Sequence, residues 1–410
     1  MKNFLLSFPP PEAMKKALQD KSLPRFREVN GHIHTPYSFS AFSDMETIFN
    51  LAMNEKIASL GINDFYVTDG YDSFHKGCVD NKIFPLFNIE FIGLMKEEQK
   101  KGIRINDPNN PGRIYFTGKG LDYPFHTGFM LRKQLKSVIR ESQDQIRAMI
   151  AKLNKLIRSE NPALSLNYET IKKKYAHDLV RERHIAKALR ILAVENYPDP
   201  EAQTAFLEKL YGGKKCKAAV SDTPAFENEI RSNLLKSGGA AFVEETPGSF
   251  LEIGKLINII VKAGGIPCYP VLLDDASGKF TEFESNPETL YHALKKIGVC
   301  CIELIPGRND FNILKNFVEF FHKRGFLITF GTEHNTPEMI PLTVSTRGSV
   351  PLDDTLKKIA WEGVCIIAAH QYLRAAGRQG YVLADGKMAT DQNKDLAELG
   401  QIVIEYFLNK

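Results

Sequence analysis

Short apolar runs of strand length alternate with helical segments along this chain, stop in its middle, and then resume. Before the break the runs lie at residues 29–34, 65–68, 83–92 and 114–117, with a helix predicted over 45–56. After it, runs at 266–273, 299–305 and 326–330 each follow a predicted helix, at 251–263, 287–297 and 311–323. Ile366 and Ile367 fit either one more strand or a helix around Trp361. Continuous apolar strands punctuated by Gly, Pro and Asn are those of a sheet covered on both faces. The alternation predicts an α/β fold, and helix–strand units that close on an earlier set suggest a β/α barrel.

The break reads differently. Apolar residues fall at 131, 135, 138, 139, 146, 149, 150, 153, 156 and 157. That is the 3.6-residue period of a long amphipathic helix. A second helix is predicted over 170–194 and a third over 200–210, ended by Gly212 and Gly213. Residues 131–235 are therefore predicted to be an all-helical insertion domain. Residues 1–130 and 236–410 would form one discontinuous barrel, with a C-terminal extension from about 336.

Charge follows the same division. The chain carries 53 Lys and Arg against 49 Asp and Glu, a formal charge of only +4. Yet residues 132–190 hold 15 basic and 6 acidic side chains, which leaves −5 for the remainder. An acidic barrel suits a cation, and a basic insertion suits an anion held over it. Lys-rich exposed helices would give the same imbalance.

Several classes are disfavoured. No run of eighteen apolar residues exists to span a membrane. The apolar patch at 4–8 is cut off by the prolines at 9–11 and lacks the form of a secretory signal. The six cysteines form no C-x-x-C pair and read as buried, reduced thiols of a cytoplasmic protein. There is no G-x-S-x-G elbow and no Walker A pattern. Cys300 and Cys301 have no adjacent base that would make a nucleophile.

The ten histidines are few enough to weigh singly. His32 and His34 form H-I-H at the end of the first strand, where residues i and i+2 point the same way and can grip one metal ion. His334, beside Glu333, follows the strand at 326–330. Glu90 lies on another strand, Asp69 in a V-T-D-G turn, and His126 after P-F. Imidazoles and carboxylates placed after different strands are how barrel metal sites are assembled. Arg181, Arg183 and His184, in R-E-R-H, fit either a solvated basic helix face or a phosphate clamp over the barrel mouth.

In this order the motifs resemble the polymerase-and-histidinol-phosphatase (PHP) family. The likeness runs from H-x-H-T-x-x-S through T-D, a strand Glu, G-G-I-P, I-E-L with Glu303, and G-T-E-H. The stretch R-E-R-H-I-A-K-A-L is similar to one in PHP phosphoesterases with a helical insertion. The resemblance covers about residues 27 to 335. It implies a distorted (β/α)7 barrel holding two or three divalent metals, and hydrolysis of phosphoesters by a metal-bound hydroxide. His32 and His34 match its first ligand pair, Glu90 its bridging carboxylate, His126 the histidine before the insertion, and Glu333 the final Asp. Phe39 stands in place of an Asp ligand, Gly70 in place of the histidine after T-D, and Asn335 in place of the last histidine. The G-G-I-P segment has no histidine, and Glu182 stands where the clamp has Arg.

With anionic and imidazole ligands missing, fewer than three ions are expected, because several dications close together need matching negative charge. Zn, Mn or Fe would suit the mixed donors that remain. The expected function is a metal-dependent phosphoesterase acting on a small anionic substrate. His32, His34, Glu90, His126, Glu333 and His334 would supply the metal ligands, Asp69 would orient the nucleophile or a ligand, and Arg183 and His184 would bind phosphate. The alternative is a degenerate barrel that binds a ligand without hydrolysing it. Nucleic acid is the less favoured partner, because only Tyr168 and Tyr175 interleave the basic stretch.

Overall fold

One apolar run of this protein is cut into two short strands by a polar side chain. In the computed structural model, which describes residues 3–39, 41–177, 179–246, 248–336 and 338–410, the apolar run at 83–92 is two strands. It breaks at Asn88, whose Nδ2 donates to the Gly31 carbonyl at 3.1 Å and whose Oδ1 accepts from the Gly120 amide at 3.0 Å. A side chain that takes over ladder bonds lets the backbone leave the ladder. The strand expected at 65–68 lies earlier, at Ser59–Ile62. Beyond it Tyr66 turns into the left-handed region at φ 58°, and Phe65 keeps only an isolated bridge to Glu90.

The main strands are β1 (Val29–Ile33), β2 (Ser59–Ile62), β3 (Phe84–Phe87), β4 (Ile89–Leu94), β5 (Arg113–Lys119), β6 (Leu251–Glu252), β7 (Ile266–Val271), β8 (Cys301–Leu304) and β9 (Leu327–Phe330). β1, β2 and β3 form a parallel three-stranded sheet. The other six are ordered β6-β4-β5-β7-β8-β9. β5 runs antiparallel to both of its neighbours, β4 and β7, which departs from a regular β/α alternation. The sheets meet at isolated bridges, Ile33 to Glu333 and Phe65 to Glu90. The architecture is thus mixed α/β. Among the described residues no single continuous ladder closes into the barrel expected from the alternation, and β1 itself shifts register between Asn30 and Ile33.

The first part of the chain carries α1 (Pro11–Leu18), α2 (Met45–Asn54), α3 (Tyr71–Asp80) and the short α4 (Lys96–Lys100). Next come α5 (Phe129–Glu160), α6 (Tyr168–Tyr175), α7 (Glu182–Asn196), α8 (Pro200–Leu210) and α9 (Thr223–Ile230). The helix expected over 170–194 is therefore two, α6 and α7. Gln143 of α5 donates to the Val180 carbonyl at 3.1 Å and accepts from its amide at 3.0 Å. That two-point bond engages the backbone between the two helices from the side, as a neighbouring strand would.

α5 is a single helix of 32 residues. Leu135 and Val138 near its start pack into the core around the sheets. From Ile146 onward it packs into a second apolar core with Ile185 and Leu189 of α7 and Phe226 and Ile230 of α9. Its apolar stripe therefore serves two cores in succession.

Five longer helices complete the chain: α10 (Ile253–Lys262), α11 (Pro287–Lys296), α12 (Phe311–His322), α13 (Asp354–Ala375) and α14 (Asn393–Asn409). α11, α12 and α13 open on Asn286, Asp310 and Asp353, whose side chains accept from backbone amides of the first turn. Ile366 and Ile367 lie inside α13. A β-carbon on Gly363 would come 1.9 Å from the Ile328 carbonyl oxygen, and one on Gly400 would come 1.7 Å from that of Cys365. These glycines let β9, α13 and α14 stack backbone to backbone. Gln371 of α13 accepts from the Phe87 amide at 2.9 Å and donates to the Pro85 carbonyl at 3.1 Å, tying the helix to β3. Residues beyond 336 thus belong to the main core. Among the described residues no helix is long and apolar enough to cross a membrane.

Candidate metal centre

His32 lies on β1 and His34 just past its end, so both rings project to one side. Glu90 of β4 reaches the same point. His32 Nε2 and His34 Nε2 are 3.4 Å apart. Glu90 Oε2 lies 3.7 Å from the first and 3.2 Å from the second. All three side chains are buried. Among the described residues this is the one group of three His, Cys, Asp or Glu side chains whose ligand atoms converge.

Each imidazole is held from behind. His32 Nδ1 faces Glu303 Oε2 at 2.8 Å. His34 Nδ1 is 3.3 Å from Ser38 Oγ, which donates to Asp64 Oδ1 at 2.6 Å. Acceptors at both Nδ1 atoms assign the protons there and leave the two Nε2 lone pairs facing the shared point. Asn63 Nδ2, 3.0 Å from His32 Nε2, is a second neighbour of that ring.

Burial sets the electrostatics. It lowers the His32 pKa despite Glu303, and lowers that of His34 further with help from the Arg181 charge. Both imidazoles are therefore neutral, as metal ligation requires. Burial pushes the Glu90 carboxyl up to about 7 and that of Asp64 to about 6, against the hydroxyl bonds Asp64 accepts from Ser38 and Thr35. Burial also raises Glu303, but its contacts with His32 and with the Lys119 ammonium outweigh it and bring that carboxyl to about 2. Glu90 Oε2 is buried with no hydrogen-bond partner, a costly state for an acceptor. A divalent cation would relieve it. Two imidazole nitrogens and one carboxylate oxygen are a donor set that suits Zn, Mn or Fe and leaves positions open.

Lys119, at the end of β5, is buried and forms an ion pair with Glu303. Its Nζ also donates to Asn63 Oδ1 at 3.1 Å and to the Gly31 carbonyl at 3.4 Å. In the sequence this lysine lies in G-K-G, a fragment too weak to assign to dinucleotide binding. A charged residue closing an apolar strand run was the available signal.

Above the cluster lies a cavity of about 390 Å³. His32, Glu90 and Glu303 line it from the sheets; Arg181, Arg183, Arg231 and Lys236 line it from the helical layer. Arg231 is 3.6 Å from Glu182. Among the described residues Arg181, Arg183 and Lys236 have no carboxylate partner. Arg181 lies over the Phe65 ring at 4.5 Å. Arg183 donates to Asn228 Oδ1 at 3.0 Å, while its Nε is buried without a partner. Burial and the Arg231 charge push the Arg183 guanidinium down to about 9.

The remaining sequence candidates are not brought together with this cluster. Glu333 lines the cavity but is paired with Arg308 and bonded by Asn335. His334 turns away, because Glu333 and His334 both adopt left-handed backbone, at φ 67° and 50°. Its Nε2 donates to the Ile340 carbonyl at 2.9 Å, its Nδ1 is 2.8 Å from Thr332 Oγ1, and its ring stacks on Phe42. His126 is exposed ahead of α5 and does not line the cavity. Asp69 is exposed ahead of α3; the buried carboxylate behind His34 is Asp64. His184 is fully buried at the start of α7, where its Nδ1 accepts from the Arg181 amide at 2.9 Å. It shapes the helix terminus and does not face the cavity. Phe39 packs its ring 4.5 Å from that of His34, and Gly70 is the N-cap of α3.

No family model matches the chain, and no curated protein matches it. Its fold is similar to that of two solved structures. One is a Bifidobacterium adolescentis protein provisionally named a metal-dependent phosphoesterase. The TM-score is 0.53 at 14% identity, covering 81% of this chain and 95% of that one. The other is an amidohydrolase from Chromobacterium violaceum, with bound sulfate and no metal. There the TM-score is 0.51 at 15% identity, covering 81% and 96%. At such identity the likeness is one of fold: the chain has a mixed α/β scaffold similar to those of these two proteins.

Proposed function

We propose that this protein is a PHP-type metal-dependent hydrolase that cleaves small phosphomonoesters. In this reading the sheets form a distorted (β/α)7 barrel, and the helices of 131–235 are an insertion domain roofing its mouth. The observation that carries the reading is the pairing of the His32–His34–Glu90 donor set with Arg181, Arg183 and Lys236, which among the described residues lack a carboxylate partner, across one cavity. The phosphoesterase name of one structural neighbour accords with it.

A divalent ion on these three ligands would supply Lewis acidity and a nucleophile at neutral pH. The chain's own residues supply positioning. Glu303 holds His32, and Asp64 holds His34 through Ser38. Arg181 and Arg183 would take the non-reacting phosphate oxygens, since guanidinium forks match that geometry. Phe39, Phe65 and Tyr115 would keep bulk water from the reacting end.

The test is an assay of the purified protein for bound metal and for hydrolysis of a phosphomonoester panel, with Mn or Zn added. Phosphate release that depends on the ion and is lost in His34→Ala is the expected result. A folded protein that binds neither ion and releases no phosphate overturns the proposal.

A further inference from the structure

Lys119 enters the site from the side away from the cavity. β5 is antiparallel to β7, and Lys119 pairs with Ile266 at the start of that strand. Glu303, on β8, pairs with Pro270 near its end. The lysine side chain therefore runs inward along the sheet to reach Glu303, and it does not line the cavity. Around its ammonium stand a Glu303 carboxylate oxygen, the Asn63 amide oxygen and the Gly31 carbonyl oxygen. Carboxylate, amide and carbonyl oxygens are the ligands that hard cations choose. Here a tethered ammonium occupies them.

We propose that Lys119 is a built-in cation that takes the second cation position of this site, so that the His32–His34–Glu90 group binds one divalent ion only. The inference rests on the metal reading above. Its physical basis is charge and satisfaction. Glu303 already faces Lys119 through Oε1 and His32 through Oε2. A second dication on Glu303 would have to strand a buried ammonium, which is strongly unfavourable. Glu333, the next carboxylate of the cavity, is likewise held by a protein cation, Arg308. Among the described residues, Glu90 is the one carboxylate with a buried oxygen that lacks a hydrogen-bond partner.

The experiment counts ions on the full chain by equilibrium dialysis against Mn²⁺ or Zn²⁺ followed by elemental analysis. Wild type is expected to hold one ion per chain, and Lys119→Ala, with the ammonium gone and Glu303 freed, two. Two or more ions on wild type would overturn the inference while leaving the metal reading intact. No ion on folded wild type would overturn both. A single ion on folded Lys119→Ala would also overturn the inference. Should that variant fail to fold, Lys119→Met, which keeps the lysine's volume and leaves Glu303 in place, is counted the same way: two ions are expected, and one on the folded variant overturns the inference.

Discussion

Glu303 Oε2 accepts a hydrogen bond from His32 Nδ1 at 2.8 Å, and that contact directs the opposite nitrogen at His34 and Glu90. A carboxylate behind a ligand histidine fixes its tautomer and raises its basicity. Losing such a partner typically costs roughly 10- to 100-fold in metal affinity. Glu303→Gln is expected to weaken ion binding by that factor, read by competition with a chromophoric chelator. Unchanged affinity would mean that His32 is not oriented from behind.

Removing a ligand should do more. His32→Ala and His34→Ala each leave two of three donor atoms at the convergence point. Both are expected to lose bound Zn on gel filtration, where wild type retains it. A full complement of Zn on either variant would remove that histidine from the ligand set.

In the proposed reaction the cationic wall would act on the substrate. Arg183→Ala and Arg181→Ala should raise KM for a phosphomonoester roughly 10- to 100-fold, the scale of one charged hydrogen bond. Arg183→Lys should recover part of the loss, because it restores the charge without the fork. A variant that lowers kcat at constant KM would instead place the arginine on the transition state alone.

His184 makes the helical layer sensitive to acid. Burial, with the neighbouring Lys187 and Arg181 charges, pushes its pKa down to about 3. The folded protein keeps it neutral while the unfolded chain takes up a proton below about 6.5. Its contribution to stability is therefore fully present above pH 6.5. It falls as pH drops toward 3, by roughly 1 kcal/mol per pH unit. Urea unfolding between pH 7 and 5 should show a shallower slope in His184→Asn than in wild type, by that amount. Parallel profiles would show that another group carries the acid sensitivity.

Gly363→Ala tests the C-terminal packing. The new methyl would meet the Ile328 carbonyl, a backbone atom with no rotamer to change. The expected loss is about 3 kcal/mol, the upper end for overpacking, measured as a lower urea midpoint. An unchanged midpoint would mean that α13 and β9 separate easily.

Much of this arrangement is legible in the sequence. H-I-H at a strand end and a Glu inside a buried strand mark the three converging side chains, because strand periodicity fixes where they point. The helical period over 131–157 marks α5. What the sequence hides depends on distance and backbone turns. Lys119 and Glu303 are 184 residues apart, and only the antiparallel course of β5 brings them together. Asp64 supplants Asp69 because the chain leaves its strand at Ile62, several residues earlier than hydropathy suggests. His334 is lost to the site through two consecutive left-handed residues, neither of them glycine, a turn that composition does not announce. The departure of α6 from α7 comes from one glutamine on another helix.

α5 also sets the geometry of access. At 1.5 Å per residue its 32 residues span about 48 Å. Leu135 and Val138 seat its lower end among the strands, and its upper part carries the layer that bears Arg183. It is a lever with its fulcrum in the lower core. From Val138 to its end the helix is about 33 Å long, so a tilt of about 10° there displaces the far end by about 6 Å. Ser142, Gln145 and Ile146 of this helix line the cavity over His32 and Glu90, so a substitution at Leu135 that re-seats the helix is expected to change the cavity's width.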